Sequence, residues 1–108
     1  MNLKVENSKL VIMKRSAIYL INFDEILYIE RFDRKTIIQT MQKEICVNLS
    51  LRKIYELLPV NFVRTHQSYI INKNLIKELA TLNSHLYEVI FNQDKIALVK
   101  KDRLPFIF

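Results

Sequence analysis

The stretch FVRTHQSYIIN, Phe62 to Asn72, opens and closes as an apolar strand, yet Arg64, Thr65, His66, Gln67 and Ser68 interrupt it with hydrogen-bonding side chains. Strict strand alternation places Arg64, His66 and Ser68 on one face and Val63, Thr65, Gln67 and Tyr69 on the other, which makes one face polar. His66 reads as a partly buried ring that donates one hydrogen bond and so fixes the strand or loop. Gln67, if the chain bends there, presents an exposed amide. Asn72 and Asn74 flank a turn into LIKEL, where their side chains can bond nearby backbone in place of glycine.

Outward from this stretch the chain is a succession of short runs rich in Ile, Val, Tyr and Thr: KLVIM, AIYLI, ILYIE, TIIQTM, EICVN, YIIN, LIKELA, LYEVIF and KIALV. Their length and spacing predict short strands joined by hairpins. The sequence contains no glycine, so the turns must use Asn or Asp, which tolerate positive φ, or turn types that avoid it. RFDRK (31–35), QKE (42–44), TLNSH (81–85) and NQDK (92–95) are the candidates.

One segment has a different period. In SLRKIYELLP, Leu51, Ile54, Tyr55 and Leu58 recur at helical spacing, with Arg52, Lys53 and Glu56 opposite. Ser50 can cap the first turn and Pro59 stops the run. An Arg52 and Glu56 pair at i and i+4 adds a few tenths of a kcal/mol at most. The expected fold is therefore mainly β, short antiparallel sheets with one short helix near residues 51–58, as a single domain over residues 1–108. The periodic sequence around the helix is too short for a helix-turn-helix.

Composition narrows the function classes. No apolar run approaches the roughly 20 residues of a membrane-spanning helix, which points to a cytoplasmic domain. Cys46 is the single cysteine, so no internal disulfide forms, and its apolar neighbours Ile45 and Val47 suggest a reduced thiol in or beside a core. Seventeen Lys and Arg against 11 Asp and Glu give a net charge of +6, an excess that favours nucleic acid or another polyanion as partner. Catalysis is disfavoured: the histidines are His66 and His85 alone, nothing marks Cys46 as activated for a nucleophilic pair with His66, and without glycine there is no glycine-rich phosphate loop. Neither a metal nor another cofactor is expected. Basic residues gather at two apparent loops, Arg31, Arg34 and Lys35 around Asp33, and Lys100, Lys101 and Arg103 around Asp102. Brought to one edge, they would form the footprint of a duplex-binding surface.

The order of these features resembles the LytTR DNA-binding domain family of bacterial transcription regulators, from about Ile18 to Arg103. The most specific likeness is FVRTHQSYIINKNLI, whose Phe62, Arg64, His66, Ser68, Tyr69 and Asn72 follow the family signature. The preceding helix, with Leu51, Ile54, Leu58 and Pro59, agrees with it. The resemblance implies a β fold that binds double-stranded DNA through loops placed in successive major grooves and the minor groove between them. It carries Lys35 and Thr36, with Arg34 beside them, to one major groove, Gln67 to the minor groove and Lys100, with Lys101, to the other major groove. Ser50, Arg52, Arg64, His66 and Ser68 become candidates for phosphate contact or for holding the loops. Where family members can present His in the first loop this chain has Thr36, and where Arg can read guanine with two bonds it has Lys100, a point charge that discriminates bases less. The family also implies an output domain behind a receiver or sensor domain, and pairing on repeated half-sites.

Two other functions fit the same residues. The basic loops could dock an acidic protein partner, with exposed strand edges in support. Phe32, Tyr69 and Tyr87 could stack the bases of a single strand.

Overall fold

The structure, a computed structural model, describes residues 2–108. Strands β1 (Asn2–Glu6), β2 (Lys9–Met13) and β3 (Ile18–Asn22) form an antiparallel sheet in the order β1-β2-β3. A central five-stranded sheet follows, built from β4 (Ile26–Phe32), β5 (Lys35–Thr40), β6 (Glu44–Val47), β7 (Phe62–His66) and β8 (Tyr69–Asn72) in the order β6-β5-β4-β8-β7. The helix α1 (Leu51–Tyr55) lies between β6 and β7 in the chain. A last sheet, ordered β11-β10-β9, contains β9 (Glu78–Thr81), β10 (Leu86–Asn92) and β11 (Lys95–Lys100), and a 3₁₀ segment (Lys101–Phe106) ends the fold.

Both faces of the central sheet are covered, which makes the fold a three-layer stack. On one face Ile26, Ile29, Ile38 and Ile70 pack with Leu10, Ile12 and Ile21 of the first sheet and with Leu51 and Ile54 of α1. On the other, Leu27, Tyr28 and Ile71 pack with Val89, Phe91, Ala97 and Val99 of the last sheet. Alternation alone would send Leu27 and Tyr28 to opposite faces. A register shift between Ile26 and Tyr28 puts both on the second core, the usual consequence of a β-bulge. Each fully buried aliphatic side chain here contributes about 1.5–3 kcal/mol. No helix among the described residues is long and apolar enough to cross a membrane.

Turns without glycine are solved in two ways. Asparagine side chains replace backbone partners at three of them: Asn72 Oδ1 accepts from Asn74 N–H, Asn83 Oδ1 from His85 and Leu86 N–H, and Asn92 Oδ1 from Asp94 and Lys95 N–H. Asn72 is buried and also donates to the Ile26 carbonyl, tying β8 to β4. Elsewhere the chain takes positive φ outright, at Asn7 and Ser8 (51° and 63°) and at Asp33 and Arg34 (49° and 65°). Two consecutive positive φ values are those of a two-residue type I′ hairpin, whose twist matches the strands it joins. Asp33 fits the expectation that Asn or Asp takes the positive φ of a turn, whereas Ser8 and Arg34 are residues that the left-handed region penalises.

Strand β1 and the Asn7–Ser8 turn carry no signal in the sequence pattern, because of β1 only Leu3 packs against a core. LIKELA becomes a strand only from Glu78, after a 3₁₀ turn over Lys73–Leu75. In α1 Leu51 and Ile54 are buried but Tyr55 is exposed, and no ion pair joins Arg52 to Glu56 among the described residues. Cys46 points out of β6, since Ile45 and Val47 take the inward positions. Cys46 and His66 stand on the two edge strands of the central sheet, four strand spacings or roughly 19 Å apart, too far for a nucleophilic pair.

Candidate nucleic-acid interface

Strand β7 leaves the sheet at His66, and Gln67 and Ser68 turn the chain into β8. The turn therefore interrupts the alternation expected through Ser68. Thr65 faces inward, and its Oγ1 donates to the Leu98 carbonyl at 2.9 Å, which fastens β7 to β11. The polar residues on either side then build the turn itself. Arg64 donates from Nε to the His66 carbonyl (3.2 Å) and from Nη2 to the Gln67 carbonyl (2.8 Å), while the bond that the His66 ring makes runs opposite to the expected direction: its Nδ1 accepts the Ser68 N–H at 3.0 Å, because the backbone of the turn supplies the donor. The Arg31 N–H donates to the Ser68 carbonyl, holding the turn against β4. Amid these constraints the Gln67 side chain is exposed and makes no hydrogen bond among the described residues.

The His66 ring contacts Tyr69 edge-on at 5.8 Å, and the Tyr69 hydroxyl donates to Glu30 at 2.9 Å. Burial, with the bond to Glu30, pushes the Tyr69 pKa up and keeps this hydroxyl protonated. Burial pushes the His66 pKa down, with Lys100 and Arg64 adding repulsion. The neutral imidazole is the form that accepts at Nδ1, so its proton sits on Nε2.

The other candidate residues reach the same end of the stack. Thr36 pairs with Val47, and Arg31 pairs with Thr36, so the β4–β5 turn and the connection from β6 to α1 lie beside the Gln67 turn. Arg34 and Lys35 are exposed at the β4–β5 turn. Thr36 is wholly buried: its hydroxyl donates to the Leu49 carbonyl (2.6 Å) and accepts from Arg31 Nη1 (2.9 Å). It is a brace between β5 and the α1 connection, and its side chain has no free surface for a base. Ser50 caps α1 by accepting the Lys53 N–H, and Arg52 is exposed in the first turn.

At the end of β11, Lys100 lines one concavity with Arg64, His66, Gln67 and Arg103. Lys101 is exposed one residue on. Arg103 was counted with its basic neighbours but not as a site residue. It donates to the Arg64 carbonyl at 3.1 Å and stacks on Phe106 at 4.1 Å, docking the 3₁₀ segment against β7. The bond to Arg64 is not legible in the sequence, because that partner lies 39 residues away. Of the three stacking candidates Tyr69 and Tyr87 pack against the second core and Phe32 alone is largely exposed, so these three residues do not form an aromatic platform for a single strand.

Three stacked antiparallel sheets that present basic turns at one end, with no long helix among the described residues to enter a groove, define a domain suited to polyanion recognition through loops. Residues 16–105 match the family model of the LytTr DNA-binding domain, and the chain belongs to that family. Similar proteins include the transcriptional regulatory protein NatR of Bacillus subtilis, 30% identical over 93% of this chain and 44% of NatR. The sensory transduction protein LytT of Bacillus cereus is 31% identical over 82% of this chain and 37% of LytT. The chain thus spans less than half the length of these relatives. A solved LytTr DNA-binding domain from Bacillus cereus superposes with a TM-score of 0.79 at 22% identity, covering 94% of each chain, and shares the fold. Membership of a DNA-binding family sets aside the alternative of a dock for an acidic protein.

Proposed function

We propose that this domain binds duplex DNA sequence-specifically as the output domain of a bacterial transcription regulator, in the cytoplasm, and that it performs no catalysis. The observation that carries the reading is the convergence of the β4–β5 turn, the β7–β8 turn and the end of β11 at one end of the stack, each presenting exposed cationic or amide side chains. Lys35 reads one major groove, Gln67 the intervening minor groove and Lys100 the next major groove. Arg34, Arg52 and Lys101 neutralise phosphates. Arg64, His66, Ser68 and Thr36 hold the turns that present the readers, and Ser50 holds α1. Two copies occupy repeated half-sites, and a receiver or sensor domain supplies the signal, as the greater length of NatR and LytT suggests.

Selection of bound duplexes from a random pool at physiological salt tests this reading. Enrichment of a motif recurring as two similar half-sites, about one helical turn apart, is the expected result. A folded protein that enriches nothing would overturn sequence-specific recognition.

A further inference from the structure

The basic surface does not stop at Lys100. Beyond it the β9–β10 loop, residues 82–85, brings His85 against the start of the C-terminal 3₁₀ segment. This loop is well defined. Leu82 and Asn83 N–H donate to the Leu86 carbonyl, Asn83 Oδ1 accepts from His85 and Leu86 N–H, and the Lys101 N–H donates to the His85 carbonyl at 2.9 Å. The backbone of His85 is thereby fixed to the end of β11 while its side chain is exposed. His85, Lys100, Lys101 and Asp102 line a second concavity, which meets the Gln67 concavity at their shared residue, Lys100.

We propose that this second concavity is a phosphate-contact site for the DNA backbone, in which His85 donates a hydrogen bond to a phosphodiester oxygen beside Lys100 and Lys101. The inference rests on the duplex-binding function proposed above and extends it to a loop outside the family signature. Its chemistry is that of backbone contact: the Lys101 ammonium and the His85 imidazole are donors to anionic oxygen, while Lys100, at the junction of the two hollows, is left to the major groove, and phosphate contacts set position without reading sequence. Asp102 stands on the rim of the same hollow and forms no ion pair among the described residues. Its carboxylate opposes the phosphate, so the site carries a built-in brake on affinity.

The test compares wild type, His85→Ala and Asp102→Asn on a selected duplex and on an unrelated duplex at fixed salt. Both His85 hydrogen bonds within the protein are made by its backbone, so the alanine variant keeps them. His85→Ala is expected to weaken binding by about threefold to tenfold on both duplexes alike, and Asp102→Asn to strengthen it by a similar factor, in line with about 1 kcal/mol for one hydrogen bond or screened charge. Melting temperatures near that of wild type certify folding. Wild-type binding with unchanged affinity in folded His85→Ala would overturn the assignment of the loop alone. Failure of wild type to bind either duplex would overturn both this site and the function on which it rests.

Discussion

His66 Nδ1 accepts the N–H of Ser68 at 3.0 Å, so a ring on the last residue of β7 closes the turn that follows it. This bond exists only with a neutral imidazole, because a protonated Nδ1 has no lone pair to offer. Burial, Lys100 and Arg64 all press in the same direction and hold the His66 pKa below its ordinary value of 6.5. A base whose folded pKa is lowered contributes stability that is complete above the unfolded value and lost as pH falls through the folded one. Thermal melts of wild type and His66→Asn between pH 8 and 5 are expected to diverge, with wild type losing more of its stability below about pH 6.5. Parallel curves would show that the ring does not titrate against this turn.

Gln67 sits at the centre of that turn yet contributes no side-chain bond to it. Gln67→Ala is therefore expected to weaken duplex binding, by about 1–3 kcal/mol if the amide reads a base edge, with a melting temperature within a degree or two of wild type. A large drop in melting temperature would make Gln67 a structural residue.

Thr36 is the opposite case. Thr36→Val keeps the shape but leaves the Leu49 carbonyl and one Arg31 N–H without their partner, and a loss of about 1–3 kcal/mol in denaturant unfolding is expected. A stability equal to wild type, combined with lost DNA specificity, would restore Thr36 as a direct reader.

Lys100 adjoins both concavities. Lys100→Ala is expected to reduce affinity by about 1–3 kcal/mol and to lower the steepness of the salt dependence by about one ion. Loss confined to the selected sequence marks base reading, whereas equal loss on every duplex assigns Lys100 to phosphate.

Ser8 lies at positive φ, in contact with the Phe23 N–H through its carbonyl and away from the basic turns. Ser8→Gly is expected to stabilise the domain by a few tenths to about 1 kcal/mol, the left-handed penalty less the greater entropy of an unfolded glycine, without altering DNA affinity. A lower melting temperature would contradict the turn geometry.

The parts of this fold that were legible in the sequence are those set by local chemistry. Ser50 caps α1, although the helix ends at Tyr55, well before Pro59; Asn72, Asn83 and Asn92 stand in turns, and Ile-rich runs become strands, because caps, turns and strand propensity act over a few residues. The parts that were not legible depend on partners distant in the chain. Thr36 looks like an exposed loop residue until Leu49 and Arg31 close over it. Arg103 looks like one more surface charge until its bond to the Arg64 carbonyl is seen. Strand β1 hides for another reason: its NLKVE sequence exposes four of five residues and offers no apolar rhythm. Arg64 and His66 were readable as polar interruptions of an apolar strand, but their joint role as the clamp of the Gln67 turn follows only from the bulge that separates them.

The proposed function requires that one end of the stack, and not its flanks, receive the duplex. Titration of isotope-labelled protein with a selected duplex, followed through each backbone amide by NMR, reads out where it docks. The largest shifts are expected at residues 33–36, 66–68 and 100–103, with 83–85 included if the β9–β10 loop meets phosphate. Shifts concentrated instead around Ser8, Asn22, Asn61 and Asn74, at the opposite end, would contradict the proposed function.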